Sequence, residues 1–227
     1  MRLKDNAYFW ATLAVLLWST VATAFKIALD FINPLELVVL ATTSSAVALL
    51  VTCFFQNKLA LCWHELKAKP GYFFCSALLN PISYYLVLFG AYSLLPGSQA
   101  QPINYTWAIS LTILSAIFLQ RPIRWQDAVA GLFGYLGVFI IATKGNILAF
   151  EFDSGFGVLL ALLSTFLWSA YWIINARSQV NTTVSLTNSF CIATILLWVV
   201  AGHQVNFDQL NPLAISSVVY IGLFEMG

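Results

Sequence analysis

The sequence predicts an all-α polytopic membrane protein built as an inverted five-helix repeat, and three observations predict it. First, 60% of its 227 residues are hydrophobic and only 8% charged, against about 25% charged in a soluble domain. Second, apolar runs long enough to cross a bilayer recur along the chain. Third, lysine and arginine gather on one side of those runs.

A spanning helix needs about 20 mostly apolar residues. Full candidates occupy 8–29, 34–55, 71–94, 98–119, 126–143, 154–175 and 183–201, and an eighth begins at Pro212. At 1.5 Å per residue its length to Gly227 is about 24 Å, short of a roughly 30 Å core. The second span opens on Asn33-Pro34-Leu35-Glu36, which reads as an N-cap, a proline at the first helical position and a capping-box glutamate. Asn211-Pro212 repeats the cap and proline.

Orientation follows from the basic residues. Arg2, Lys4, Lys58, Lys67, Lys69, Arg121, Arg124 and Arg177 fall on one side, which is assigned as cytoplasmic. The other side holds Lys144 with Asp30, Glu151, Asp153 and Asp208, and Lys26 lies inside the first span. This expects a multi-pass protein of a bacterial cytoplasmic membrane with its N-terminus inside. The opening run resembles a signal peptide, with Ala22-Thr23-Ala24 as a cleavage site, but it is too long for one and has a counterpart later.

That counterpart is a repeat. "WATLAVLLWS" (10–19) matches "LALLSTFLWS" (160–169) at five of ten positions, including Leu-Trp-Ser. Lys69-Pro70-Gly71 pairs with Asn211-Pro212-Leu213, each opening a span two further on. The sixth span thus echoes the first and the eighth echoes the third, giving repeats over 1–150 and 151–227, the second incomplete. A five-helix unit enters from opposite sides in its two copies, which suits alternating access around a midplane site.

The chain resembles the EamA-type branch of the drug/metabolite transporter superfamily. The matching residues are Leu17-Trp18-Ser19 and Lys26, Pro102, Arg121-Pro122-Ile123, the Gly131/Gly134/Gly137 helix and Leu167-Trp168-Ser169. The resemblance implies a ten-helix bundle of two inverted repeats, of which about seven and a half helices are present, and so a chain truncated after Gly227. It also implies export or exchange of a small metabolite such as an amino acid, or of a drug-like compound. Gln120-Arg121 stands where the family often has Gly-Glu, and Thr42-Thr43 where it often has an arginine, so roles tied to those charges are not carried over.

Polar groups inside hydrocarbon are costly and face neighbours or a cavity. Gln101, Asn104 and Tyr105 recur at i, i+3 and i+4, one polar face of the fourth span beside Pro102; they line a cavity or bond between helices. Trp168, Trp172 and Asn175 share a face of the sixth span, where tryptophan can stack on a substrate or anchor at the interface. Lys26 is positioned to hold a carboxylate or to snorkel outward. Asn80-Pro81 allows a kink in the third span. Glu225 places a carboxylate deep in the eighth span, as a proton-coupling group or with a partner elsewhere. The expected substrate site comprises Trp18, Lys26, Gln101, Asn104, Tyr105, Trp168, Trp172 and Glu225.

No Walker loop, H-E-x-x-H or G-x-S-x-G motif is present, which points away from a primary pump or an enzyme. The four cysteines show no metal-ligand spacing and read as packing residues, and the two histidines, His64 and His203, read as loop residues. No cofactor or metal is expected. A net charge of +1 gives no case for nucleic acid. The expected partners are a small-molecule substrate, the lipid bilayer and a coupling proton. A secondary transporter is the leading reading; a receptor or structural membrane protein, or a membrane enzyme, is the alternative.

Overall fold

The computed structural model describes residues 7–145 and 153–226. Arg2, Lys4 and Glu151, three of the charges used to orient the chain, lie outside them. Among the described residues there are helices and turns and no strand.

The spans appear where the apolar runs predict them, with informative breaks. Helices α1 (Ala7–Leu29) and α2 (Pro34–Phe55) are continuous. At the start of α2 the expected capping box is formed. Asn33 Oδ1 accepts from Glu36 N at 3.0 Å, and Glu36 Oε2 accepts from Asn33 N at 2.8 Å. The other carboxylate oxygen of Glu36 accepts from Asn206 N at 2.9 Å. One buried glutamate therefore caps a helix and ties the 29–36 turn to the 202–211 segment.

The connection between the second and third spans is not a loop. It contains a short helix, α3 (Leu59–Ala68), which carries His64; His203 lies in a single 3₁₀ turn. The third span is split into α4 (Pro70–Ala77), a wide π-type turn at Leu78–Ser83 and α5 (Tyr84–Leu94). Asn80 leaves the helical region there (φ −143°, ψ 118°), and the Asn80–Pro81 peptide is cis. The fourth span is also split, into α6 (Gly97–Asn104) and α7 (Trp107–Phe118). The remaining spans are α8 (Trp125–Ala142), α9 (Gly155–Ser178), α10 (Thr182–Ala201) and α11 (Pro212–Ile221), the last followed by a second π-type turn at Gly222–Met226. Four of these stretches, 34–55, 70–94, 155–178 and 182–204, are long and apolar enough by themselves to cross a membrane.

The core forms where α2 packs on α10, α5 on α9, α7 on α9 and α1 on α11. Phe25, Leu37, Val38, Tyr85, Phe89 and Phe190 are fully enclosed there. Small residues let backbones approach. A Cβ on Gly222 would lie 2.7 Å from the Ala41 carbonyl oxygen, and one on Gly157 would lie 2.8 Å from Leu95. Of the three α8 glycines, Gly131 and Gly134 pack on Ile109, while Gly137 has nothing within 4 Å.

The basic end of the bundle is tied by polar contacts. Lys69 Nζ donates to the Ser178 carbonyl at 3.2 Å, Arg177 donates to the Phe118 carbonyl, and Lys58 Nζ reaches Asn181 Oδ1 at 3.4 Å. Just inside them Tyr72, Asn175 and Ser185 close a triangle: both hydroxyls meet Asn175 Oδ1, at 2.8 and 2.9 Å, and each other at 2.7 Å. Asn175 therefore binds α4, α9 and α10 together. At the opposite end Lys144 and Asp153 pair at 2.7 Å.

Candidate functional site

Four of the eight expected site residues line one groove. It lies between α1 and α6, has a volume of about 680 Å³ and is open to the surroundings. Trp18 and Lys26 come from α1, Gln101 from α6, and Tyr105 from the joint before α7. Trp18 and Tyr105 are exposed, and Lys26 and Gln101 half-buried.

The local sequence explains this geometry. Gln101 and Tyr105 stand one helical turn apart, so both project from the same side. Gln101 Nε2 donates to the Trp18 carbonyl at 2.9 Å and to Tyr105 Oη at 2.8 Å, and Tyr105 Oη approaches the same carbonyl at 3.4 Å. Pro102 has no N–H to offer the Ser98 carbonyl, and both residues line the groove. Lys26 donates to the Tyr92 carbonyl at 3.0 Å, in the last turn of α5, so its ammonium is held by the bundle. The groove thus offers a cation and two aromatic rings, with the Gln101 amide holding its walls together.

Asn104 does not face this groove. It is buried, and its Nδ2 donates to Ser164 Oγ at 2.9 Å and approaches Tyr84 Oη at 3.5 Å. With the Ser110–Thr165 bond at 2.8 Å and Ser169 Oγ to the Trp107 carbonyl at 3.1 Å, it fastens the fourth span to α9. Of this face, Asn104 makes the inter-helix bond to α9, while Gln101 and Tyr105 line the groove and also bond the Trp18 carbonyl of α1.

Trp168 and Trp172 belong to an aromatic row along the bundle. Trp168 lies 4.7 Å from Tyr84 and 5.9 Å from Trp172, centroid to centroid. The row continues through Tyr85, Phe89, Phe25 and Tyr92 at spacings of 4.6, 5.4, 4.9 and 4.9 Å. Glu225, in the turn after α11, is half-buried. Its backbone carbonyl accepts from Tyr85 Oη at 3.3 Å.

Sequence reasoning missed Tyr84, Tyr85 and Tyr92, which link the groove, the tryptophans and Glu225. Their signal is the i, i+1, i+8 spacing of tyrosines in an apolar span. It also missed the α1–α11 contact, where Thr20 Oγ1 and Tyr220 Oη meet at 2.6 Å. Among the described residues no group of three or more His, Cys, Asp or Glu is placed to hold a metal ion.

Comparison with known proteins decides the class. Residues 5–143 match the EamA-like transporter family. The chain belongs to that family. An uncharacterized transporter of Archaeoglobus fulgidus is 22% identical over 95% of this chain and 75% of its own length. The aromatic amino acid exporter YddG of Ancylobacter novellus is 25% identical over 86% of this chain and 66% of its own length. A crystal structure at 22% identity superposes with a TM-score of 0.66, covering 92% of this chain and 71% of the other, and supports the fold. This EamA-like chain is accordingly an integral, multi-pass membrane transporter of small molecules.

Proposed function

We propose that this EamA-like protein exports or exchanges small amphipathic metabolites, amino-acid-like in having a carboxylate and an apolar or planar side chain. The groove carries the reading: Lys26, Gln101, Trp18 and Tyr105 come together on two helices around a space large enough for such a molecule. The Lys26 ammonium suits a carboxylate, and the rings suit a flat or apolar side chain. The activity named for the Ancylobacter novellus relative is of the same class.

Alternating access between two inverted five-helix repeats, 1–150 and 151–227, completes the proposal. Helix pairing supports it. Under the repeat the first span maps to the sixth and the eighth to the third, so the observed α1–α11 pair maps onto the observed α9–α5 pair. The two π-type turns, at Leu78–Ser83 and Gly222–Met226, also fall at equivalent places in the third and eighth spans. Glu225 is the proposed proton-coupling group, since it is a carboxylate deep in the eighth span, in a turn whose backbone Tyr85 binds. The basic end, with Lys58, Lys69 and Arg177, is taken as cytoplasmic.

Transport of labelled amino acids and amphipathic organic acids into inside-out vesicles tests the reading. Saturable uptake that falls tenfold or more in Gln101→Ala is expected. Uptake no greater than in vesicles lacking the protein, across both substrate classes, rejects it.

A further inference from the structure

On the reading that the groove is the transport site, its charge balance narrows the cargo. Lys26 is the charged residue that lines it; Asp30, one turn beyond Lys26, and Glu225 do not line it. Two hydroxyls stand beside Lys26. Thr23 precedes it by three residues, so the two share a face of α1. Ser98 follows Gly97, where a Cβ would lie 3.8 Å from Lys26 Cγ. Thr23 and Ser98 are exposed in the groove, and among the described residues neither hydroxyl has a hydrogen-bond partner. Ser19 and Gln101, by contrast, donate to the Leu16 and Trp18 carbonyls.

The rings stand further along the groove. Tyr105 Oη is 3.4 Å from the Trp18 carbonyl, and Trp18 lies five residues, about 7.5 Å along the axis, from Thr23. An arylalkanoic acid spans that distance, with its carboxylate at Lys26 and its ring against Trp18 and Tyr105. An α-amino acid brings a second charge. Its ammonium hangs from the carbon that bears its carboxylate, so seating the carboxylate on Lys26 draws two like charges together. No carboxylate lines the groove to receive that ammonium, and an unpaired charge taken from water is costly. A hydroxyl or oxo group in its place carries no such penalty.

We propose that the cargo is an amphipathic monoanionic acid without an amino group, such as a 2-hydroxy or 2-oxo aryl acid, and that Thr23 and Ser98 complete a carboxylate subsite with Lys26. One Lys26 N–H is held by the Tyr92 carbonyl, which leaves two for the carboxylate. The two hydroxyls donate to its remaining lone pairs.

The test is uptake of labelled L-phenyllactate and L-phenylalanine, which differ only in hydroxyl against ammonium, into inside-out vesicles with and without the protein. The half-saturation concentration should be about tenfold lower for phenyllactate. Thr23→Val and Ser98→Ala should each raise it roughly three- to tenfold, with circular dichroism unchanged. Lys26→Met should bring the two cargoes within about twofold of each other. Saturable phenylalanine uptake at an equal or lower half-saturation concentration would overturn this proposal and leave the transport reading standing. So would a phenyllactate preference that all three substitutions leave intact. Saturable uptake of neither compound would count against the transport reading itself, and this proposal with it.

Discussion

The ammonium of Lys26 lies 3.0 Å from the carbonyl oxygen of Tyr92, across the joint between α1 and the end of α5. Carbonyls in a last helical turn lack intrahelical donors, and a cation there is favoured by the helix dipole. The same side chain lines the groove, its stem lying 3.8 Å from where a Cβ on Gly97 would stand. Lysine has three N–H donors, so one can seal α5 while others meet cargo. Lys26→Met should cost about 1 kcal/mol of stability and lower carboxylate-cargo flux tenfold or more. Lys26→Arg should keep most of the stability. Thermal denaturation in micelles and initial vesicle uptake rates measure the two effects. Unchanged flux per folded Lys26→Met protein would confine the residue to sealing the helix.

Gln101 spends its amide protons on the Trp18 carbonyl and Tyr105 Oη. It holds the groove's two walls together and orients the Tyr105 ring. Gln101→Leu keeps the volume and removes both bonds, each worth about 0.5–1.5 kcal/mol. The half-saturation concentration should rise by roughly 5- to 50-fold, with a smaller change in maximal rate. Tyr105→Phe leaves the Gln101–Trp18 bond in place and should shift it less. Concentration-dependent uptake by the two variants ranks them, and equal effects would argue against Gln101 as the tie.

How much of this was legible in the sequence depends on the range of the interaction. The Asn33–Glu36 capping box is local and was readable from four letters; its second bond, to Asn206, depends on a loop 170 residues away. The spans were legible because hydropathy is additive along a helix. The break at Tyr105–Thr106 was not, because neither glycine nor proline stands at it and only the backbone turns. Helix α3 escaped because ten residues with three polar or charged groups give no spanning signal. Within the candidate site, Gln101 and Tyr105 were legible as a polar helical face. Asn104 shares that pattern, yet Ser164 on another helix takes its amide. The three tyrosines of α5 were not singled out, because the hydroxyl partners of Tyr84 and Tyr85, Asn104 and the Glu225 carbonyl, lie on other spans.

Asn104 separates a structural role from a transport role. Its amide is buried and bonded to Ser164 at 2.9 Å. Interhelical bonds of this kind contribute about 0.6 kcal/mol on average and up to about 1.7. Asn104→Ala should therefore lower stability by about 1 kcal/mol, with Ser164→Ala giving a similar loss and the double variant less than the sum. Flux per folded molecule should stay within twofold of wild type. A large flux loss at intact stability would place Asn104 in contact with cargo after all.

Glu225 gives the sharpest functional split. A carboxylate inside a membrane protein is costly unless it faces partners or a cavity, and this one sits in a turn bound by Tyr85 through its backbone carbonyl. If it carries the coupling proton, it must be proton-loaded on one half-cycle and unloaded on the other. Glu225→Gln is isosteric with the protonated form and cannot release a proton. Accumulation driven by a pH gradient should then disappear, while exchange of labelled for unlabelled cargo at equal pH should persist. Wild-type flux should vary across the neutral pH range and Glu225→Gln flux should be flat. Loss of exchange together with gradient-driven uptake would instead make Glu225 a cargo contact or a packing residue. Its neighbour Gly222 supplies the control. Gly222→Ala forces a Cβ to within 2.7 Å of the Ala41 carbonyl and should lower stability, so a packing defect at this turn appears as lost folded protein rather than lost coupling.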